Sequence, residues 1–211
     1  HIIFKIKIED KPLFELKIFS IDGQPVKTEQ SMIIIPDGGI ELIKSFDLVI
    51  IPGWDDFNHK PEESLIEGLN QAYQKGIKIV GLCYGTYALA YSGLLKNKKA
   101  ATHWMAEQDF SERFPDIKLD RDALYVEDQR IITSAGTGAA LDCCLYLVRE
   151  MYNAQIANKV SRVMVIPPHR EGGQAQFIEQ PIANSSQDAQ INVLLDFLRK
   201  NLAQHHGIET L

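Results

Sequence analysis

The chain has 211 residues, 45% of them hydrophobic, and this size and composition suit one globular α/β domain with a sizeable core. Its net charge of −6 argues against direct binding of DNA phosphates by this segment, because a DNA-binding face is expected to be basic. It has no apolar run of about 20 residues, no signal-peptide layout and an odd count of three cysteines, so we expect a cytoplasmic protein without membrane contact or a disulfide framework.

The first third of the chain contains three candidate strands. Residues 2–8 alternate apolar and polar side chains, a pattern typical of a strand. FELKIFSID, at 14–22, predicts a second strand with a turn at Asp22-Gly23. FDLVII, at 46–51, is a continuous apolar run followed by Pro52-Gly53, as expected of a buried parallel strand.

Helices and strands then alternate. PEESLIEGLNQAYQKG, at 61–76, predicts a helix that has Pro61 in its first turn and ends at Gly76. A strand at 77–82 leads into a turn at Cys83, and a helix follows as far as Ser92.

The second half continues this alternation. AATHW is short and extended, and MAEQDFSERFP predicts a short helix that Pro115 stops. LYVEDQRIITSAG predicts a hairpin around Asp128-Gln129, and a helix should follow from about 138 to 152. The apolar face of that helix is predicted to include Leu141, Cys144, Leu145 and Val148. The alternation predicts a flavodoxin-like three-layer sandwich, in which helices cover both faces of a mostly parallel sheet.

The tail changes character. Residues 167–187 are rich in Pro, Gly, Ser and Gln and predict a linker. Residues 188–207 predict a helix with one apolar stripe, which needs a partner surface. The sandwich is therefore expected to carry a C-terminal helical extension.

The segment Gly81-Leu82-Cys83-Tyr84-Gly85 fits G-x-C-x-G, the thiol form of the nucleophile elbow. Glycines on either side of the cysteine allow close backbone approach, and the start of the next helix should lower the pKa of the thiol. Backbone N–H groups of the turn, and those near Gly53-Trp54, could form an anion pocket. Cys83 is thus a candidate nucleophile or ligand-sensing thiol, and the alternative is a small residue in a tight turn.

A nucleophilic cysteine needs a base, and His103 in ATHW is the candidate. A histidine beside Trp104 can equally be a packing or capping residue, and no acidic residue directly follows it to complete a triad. The remaining histidines favour solvated surface, and Cys143-Cys144 fit a helix core. No cluster has metal-ligand spacing, so neither a metal nor a cofactor is predicted.

Four motifs together resemble a known family. In chain order they are VGLCYGTYALAYSGLLKNKKAATHW, RFPDIKLDRDALYVED, IITSAGTGAALD and RVMVIPPHREGGQAQF. They resemble the ThiJ/PfpI-type domain of AraC-family transcriptional regulators, a class I glutamine amidotransferase-like domain that precedes a DNA-binding domain. The resemblance runs from about Leu13 to Ile182.

The resemblance implies a domain organisation. Residues 1–166 would form the ThiJ/PfpI-like sensory domain, 167–187 the linker, and 188–211 the start of a truncated helix-turn-helix domain. At the front, residues 1–7 would be the end of the first helix, in a chain that lacks the family's first strand. The acidic residue that partners the cysteine in enzymatic relatives comes from that front region and is not assigned here.

The leading functional hypothesis is a non-catalytic sensory module. It would bind a small-molecule effector through Gly53, Trp54, Cys83, Tyr84 and His103, form a homodimer, and contact DNA only through the missing C-terminal domain. One rival is a cysteine-dependent hydrolase, amidase or glyoxalase-like enzyme. Another is a structural dimerisation domain with a vestigial site. Fold alone does not decide among them.

Overall fold

The computed structural model describes residues 2–8, 11–28, 31–168 and 170–173, together with Leu194 and Phe197. The chain divides into two compact units, His1–Gln176 and Phe177–Leu211. Most of the predicted linker and almost all of the predicted helix-turn-helix start lie outside the described residues, although Leu194 and Phe197 are helical. All further structural findings concern the first unit.

A four-stranded sheet forms the centre of this unit. Across the sheet its order is Leu48–Ile51 (β5), Lys78–Leu82 (β6), Ile131–Ser134 (β10) and Tyr125–Asp128 (β9). The first three strands are parallel, and β9 runs antiparallel to β10. The predicted mostly parallel sheet is therefore confirmed, and so is the hairpin between β9 and β10.

Shorter strands pair outside this sheet. The pairs in the described part of the chain are antiparallel Lys7–Ile8 (β1) with Lys11–Pro12 (β2), antiparallel Val26–Lys27 (β3) with Ile33–Ile34 (β4), and parallel Lys99–Ala100 (β7) with Lys118–Leu119 (β8). Each of these strands has only two residues, so the pairs fasten loops rather than extend the central sheet.

The α-helices of the first unit are Ile2–Lys5 (α1), Glu63–Gln74 (α2), Gly85–Tyr91 (α3), Glu107–Arg113 (α4), Thr137–Met151 (α5) and Ala154–Met164 (α6). Two 3₁₀ helices cover Ile40–Ser45 and Trp104–Ala106. In the described part of the chain, no helix is both long enough and apolar enough to span a bilayer.

Helices cover both faces of the sheet, which gives the predicted three layers. Ile79 of β6 belongs to a buried cluster that includes apolar residues of α2 and α3. Its neighbour Val80 belongs to a second cluster with residues of α1, α5 and α6. Adjacent residues of a strand point to opposite faces, so the two clusters lie on opposite sides of the sheet.

The strand predicted from alternation at 2–8 is wrong for most of its length, and the helix implied by the resemblance is confirmed. Residues 2–5 are helical, and only Lys7–Ile8 is extended. Ile3 and Phe4 are both buried in the second cluster. Adjacent side chains of a strand cannot share one face, whereas those of a helix turn can.

The strand predicted at 14–22 does not form either. Its only bridge pairs Phe19 with Gly38. Ile18 instead exchanges hydrogen bonds with Asp37: its N–H donates to the carboxylate at 2.7 Å, and its carbonyl accepts from the Asp37 N–H at 2.6 Å. The N–H and carbonyl of Ile18 are thus bonded to Asp37, so they are not available for pairing with a neighbouring strand in a regular sheet.

The helices predicted within the described residues form, although their ends are shifted and one residue lies on a different face of its helix than predicted. α2 begins two residues after Pro61, and α5 covers 137–151. On α5, Leu141 is 37% exposed and Asp142 only 7%, because Asp142 binds Arg170. The predicted place of Leu141 on the apolar face is therefore wrong.

Candidate functional site

Cys83 occupies the turn between β6 and α3 at the carboxyl end of the sheet. Its φ of +54° lies in the left-handed region, which costs a residue with a side chain about 1–3 kcal/mol unless the surroundings impose it. Two hydrogen bonds impose it here: the Cys83 N–H donates to Ser134 O at 3.0 Å, and Thr102 Oγ1 donates to Cys83 O at 3.1 Å.

The two glycines of the turn allow backbones to meet. A Cβ on Gly85 would lie 2.1 Å from Ile51 O, and a Cβ on Gly81 would lie 3.1 Å from Gly85 O. Because these neighbours are backbone atoms, they cannot move aside as a flexible side chain can. The spacing of glycine, cysteine and glycine is therefore required by close packing of β5, β6 and α3.

The thiol is not activated as the sequence suggested. Burial raises the pKa of Cys83 above its ordinary value, and the Tyr84 N–H, which acts in the opposite direction, has the smaller effect. α3 has only seven residues, and the thiol is about half-buried, so desolvation of the thiolate outweighs the helix-end field. The expectation of a lowered pKa is replaced by a raised one.

His103 lies beside the elbow but acts as a cap. Its Nδ1 accepts a hydrogen bond from the Met105 N–H at 3.2 Å, which places it at the start of the 3₁₀ helix. Burial lowers the pKa of His103, so the neutral ring is favoured, with its proton on Nε2. Within the described residues, no hydrogen bond joins this ring to Cys83.

Tyr84 and Gly53 border the elbow, and Trp54 follows Gly53 in the chain. The ring centroids of Tyr84 and His103 are 5.3 Å apart. Gly53 approaches the turn closely, since a Cβ on Gly85 would lie 3.2 Å from Gly53 N, while a Cβ on Gly53 itself would meet no atom within 4 Å. Trp54 Nε1 donates to His59 O at 2.8 Å, so this donor is used inside its own loop.

An aromatic cluster of Phe57, Tyr84 and Tyr87 was missed from sequence. The ring centroids of Phe57 and Tyr84 are 4.8 Å apart, and Phe57 stacks on Tyr87 at 4.3 Å. Tyr91 Oη also donates to Phe57 O at 2.5 Å, so the loop that carries Gly53 is fastened against α3. Phe57 lies in an irregular segment where no periodicity predicts its contacts.

Gly136 was also missed, although the TSAG motif contains it. A Cβ at this position would lie 2.1 Å from His103 Cδ2, so the glycine leaves room for the imidazole. The end of β10 therefore contacts both parts of the candidate site, Cys83 through Ser134 O and His103 through Gly136.

A cavity of about 420 Å³ lies between residues 13–19 and the edge strand β5, away from the elbow. None of the residues predicted for the site belongs to its lining. We place the candidate site at the elbow because strained backbone and close glycine packing meet there. In the described part of the chain, no group of three or more His, Cys, Asp or Glu side chains could hold a metal ion.

Comparison with known proteins identifies the family of the chain. The profile of the DJ-1/PfpI family matches residues 11–150. The HTH-type transcriptional regulator CdhR of Pseudomonas aeruginosa is 29% identical over 154 residues, which are 73% of this chain and 46% of that protein. Protein DJ-1alpha of Drosophila melanogaster is 30% identical over 149 residues, which are 68% of this chain and 67% of that protein.

Solved structures show the same fold. The crystal structure of an AraC family transcriptional regulator from Pseudomonas putida matches with a TM-score of 0.63 and 23% identity, covering 72% of this chain and 82% of that chain. The aligned part spans less than half the length of the first curated regulators that the chain matches.

Proposed function

The chain belongs to the DJ-1/PfpI family, and from this premise we propose that it is the ligand-sensing part of an AraC-type, DNA-binding transcriptional regulator. The observation that carries the proposal is the state of Cys83. A strained turn holds the thiol at the end of the sheet, yet burial raises its pKa and no described base is hydrogen-bonded to it. Such a site can bind a small molecule, and among the described residues no proton acceptor of the kind that a nucleophilic cysteine needs is bonded to the thiol.

The proposed effector binds over the elbow, in contact with Gly53, Trp54, Cys83, Tyr84 and His103. Gly53 and Cys83 follow the carboxyl ends of the neighbouring parallel strands β5 and β6. Open α/β sheets place their ligands at this edge. The space beside Gly53 and the partial exposure of the three rings support a contact surface here.

The relatives support the regulatory part of the proposal. CdhR is named an HTH-type transcriptional regulator, and the present chain corresponds to less than half of it. We therefore assign DNA contact to a C-terminal domain, of which residues 188–211 would be the start, after a linker at 167–187. Homodimerisation in the cytoplasm would suit regulators that bind repeated half-sites.

Calorimetry with site variants tests the location of the effector. Small metabolites that raise the melting temperature of the chain are titrated into wild type, Gly53→Leu and Glu67→Leu. Gly53→Leu should abolish binding by filling the open space, whereas Glu67→Leu, on the exposed side of α2, should bind as wild type does. Unchanged affinity in folded Gly53→Leu and Cys83→Trp variants would place the ligand elsewhere.

A cysteine-dependent hydrolase, amidase or glyoxalase-like enzyme is the second candidate. The observation that favours it is the turn itself, because close glycine packing around a left-handed cysteine is the geometry of a nucleophile elbow. Turnover of simple amides or α-oxoaldehydes that disappears in Cys83→Ala would support this candidate over the sensor.

A further inference from the structure

A short segment at the end of the described first unit is fastened to its core. We call residues 170–173 the strap. In sequence the strap lies directly before residues 174–211.

The strap is held by a side-chain ion pair. Arg170 Nε donates to Asp142 Oδ2 at 2.9 Å, and Arg170 Nη2 donates to the same oxygen. The Asp142 side chain is 6% exposed, so Arg170 takes the place of water as the partner of this carboxylate. Loss of Arg170 would leave the carboxylate of Asp142 without its charged partner in a buried position, which is energetically costly. The ion pair therefore opposes detachment of the strap.

Backbone contacts hold the strap at a second point. The Leu124 N–H donates to Gly172 O at 2.6 Å, and Tyr125 Oη donates to Arg170 O at 3.1 Å. A Cβ on Gly172 would lie 2.4 Å from Tyr125 O. Glycine at 172 is therefore required for the strap to lie against β9.

Backbone hydrogen bonds lead from the strap to the elbow. Leu124, which binds Gly172, accepts through its carbonyl from the Ala135 N–H at 2.8 Å. The preceding residue, Ser134, accepts from the Cys83 N–H at 3.0 Å. Ser134, the last residue of β10, thus bonds to the elbow, and the next residue, Ala135, bonds to Leu124, which holds the strap.

From this arrangement we propose that the strap is a conformational switch coupled to the elbow. A ligand that shifts Cys83 moves the end of β10 and, through Ala135, the backbone of Leu124. The hydrogen bond from Leu124 to Gly172 then changes, and with it the stability of the strap's attachment. The coupling is reciprocal, so loosening the strap must also change the elbow. Its regulatory meaning rests on the proposed function, but the coupling itself is measurable without effector or DNA.

Amide hydrogen exchange of the 211-residue chain tests the coupling. Arg170→Gln should accelerate exchange at Leu124 and Tyr125 by about tenfold or more, because it removes charge-assisted hydrogen bonds from a buried carboxylate. The same variant should accelerate exchange at Ala135 and Cys83. Arg113→Gln, which removes an Arg–Asp ion pair from the more exposed Asp109, should leave these four amides at wild-type rates.

The outcomes are distinct. Faster exchange at Leu124 and Tyr125 alone would overturn the coupling, and uniform acceleration that includes the amides of α2 would replace it by a general loss of stability. No change anywhere would show that Arg170 does not hold the strap. Failure of any kind leaves effector binding at the elbow to be decided by calorimetry.

A second experiment perturbs the elbow and measures the contacts of the strap. It uses the wild-type sequence, so it does not depend on the folding of a variant. Wild type carbamidomethylated at Cys83 with iodoacetamide should show altered exchange at Leu124 and Tyr125 relative to unmodified protein. Equal rates in the two samples would contradict the coupling. Asp142→Asn, which keeps the shape of the side chain, is the companion variant should Arg170→Gln not fold.

Discussion

The three cysteines differ in solvent access far more than in local charge. Cys83 is partly exposed at a turn, whereas Cys143 and Cys144 are buried on α5. Burial raises the pKa of all three thiols, and for Cys143 it raises the pKa well above the ordinary value. Reactivity should therefore follow access, because burial is the largest influence on the pKa of each of the three thiols.

Cys83 is expected to react with iodoacetamide before Cys143 and Cys144 in the folded protein. Its thiol is accessible to the reagent, whereas the thiols of Cys143 and Cys144 become accessible only when α5 opens locally. Its alkylation rate should keep rising above neutral pH, since a raised pKa leaves little thiolate at pH 7. Brief alkylation followed by peptide mapping measures the order, and earlier labelling of Cys143 or Cys144 would refute it.

Stability should fall in alkaline solution because of Cys144. Burial raises the pKa of Cys144 from an ordinary 9.0 to about 11. As pH rises, the unfolded chain loses this proton first, so the stabilisation is complete below pH 9 and is lost as pH passes 11. Two pKa units correspond to about 3 kcal/mol of unfolding free energy.

Denaturant titrations at several pH values measure this effect. Cys144→Ala should be less stable at neutral pH, because it leaves a small cavity, but should lose less further stability between neutral and strongly alkaline pH. Equal alkaline losses in the variant and in wild type would assign the effect to other groups, such as Tyr125, whose pKa is raised to about 12, mainly by burial.

At the scale of elements, the joint between β5, β6 and α3 is the least tolerant part of the site. Gly85→Ala is expected to cost at least about 3 kcal/mol or to prevent folding, because the new methyl group meets the backbone of Ile51. Gly53→Ala is the matched control, with open space around its Cβ and an expected change within about 0.5 kcal/mol. Urea unfolding compares the two variants, and similar stabilities would show that the joint is loosely packed.

Sequence patterns correctly predicted the elements in which buried apolar residues recur at the spacing of a helix or a strand. The strand at β6 and the helices α2 and α5 follow from apolar periodicity that covers several turns or pleats. The strand predicted at 14–22 was wrong because the backbone of Ile18 bonds to Asp37 instead of to a neighbouring strand, and no local pattern reveals such a partner. Helix α6 was not predicted at all, although its polar and apolar faces are distinct.

The same distinction applies to the candidate site. The glycine spacing around Cys83 predicted the turn, because close backbone approach is a local requirement. The raised pKa of the thiol, the stacking of Phe57 and the contact of Gly136 with His103 depend on residues distant in sequence. Burial of Asp142 likewise depends on Arg170, 28 positions further along.

At the scale of the whole molecule, we expect a homodimer. Regulators that bind repeated half-sites use the two-fold symmetry of a dimer to match the DNA. Sedimentation equilibrium of the chain at micromolar concentration should show the dimer mass. Monomer alone across this range would contradict the prediction, and the same measurement with Arg170→Gln shows whether the strap affects association.

The central claim is that the elbow binds a small molecule without transforming it. The most direct measurement titrates a thermal-shift hit into wild type and Gly53→Leu and then analyses the recovered compound by mass spectrometry. We predict saturable binding to wild type, no binding to Gly53→Leu, and a compound recovered intact after prolonged incubation. Consumption of the compound by wild type, and its survival with Cys83→Ala, would contradict the claim and identify an enzyme.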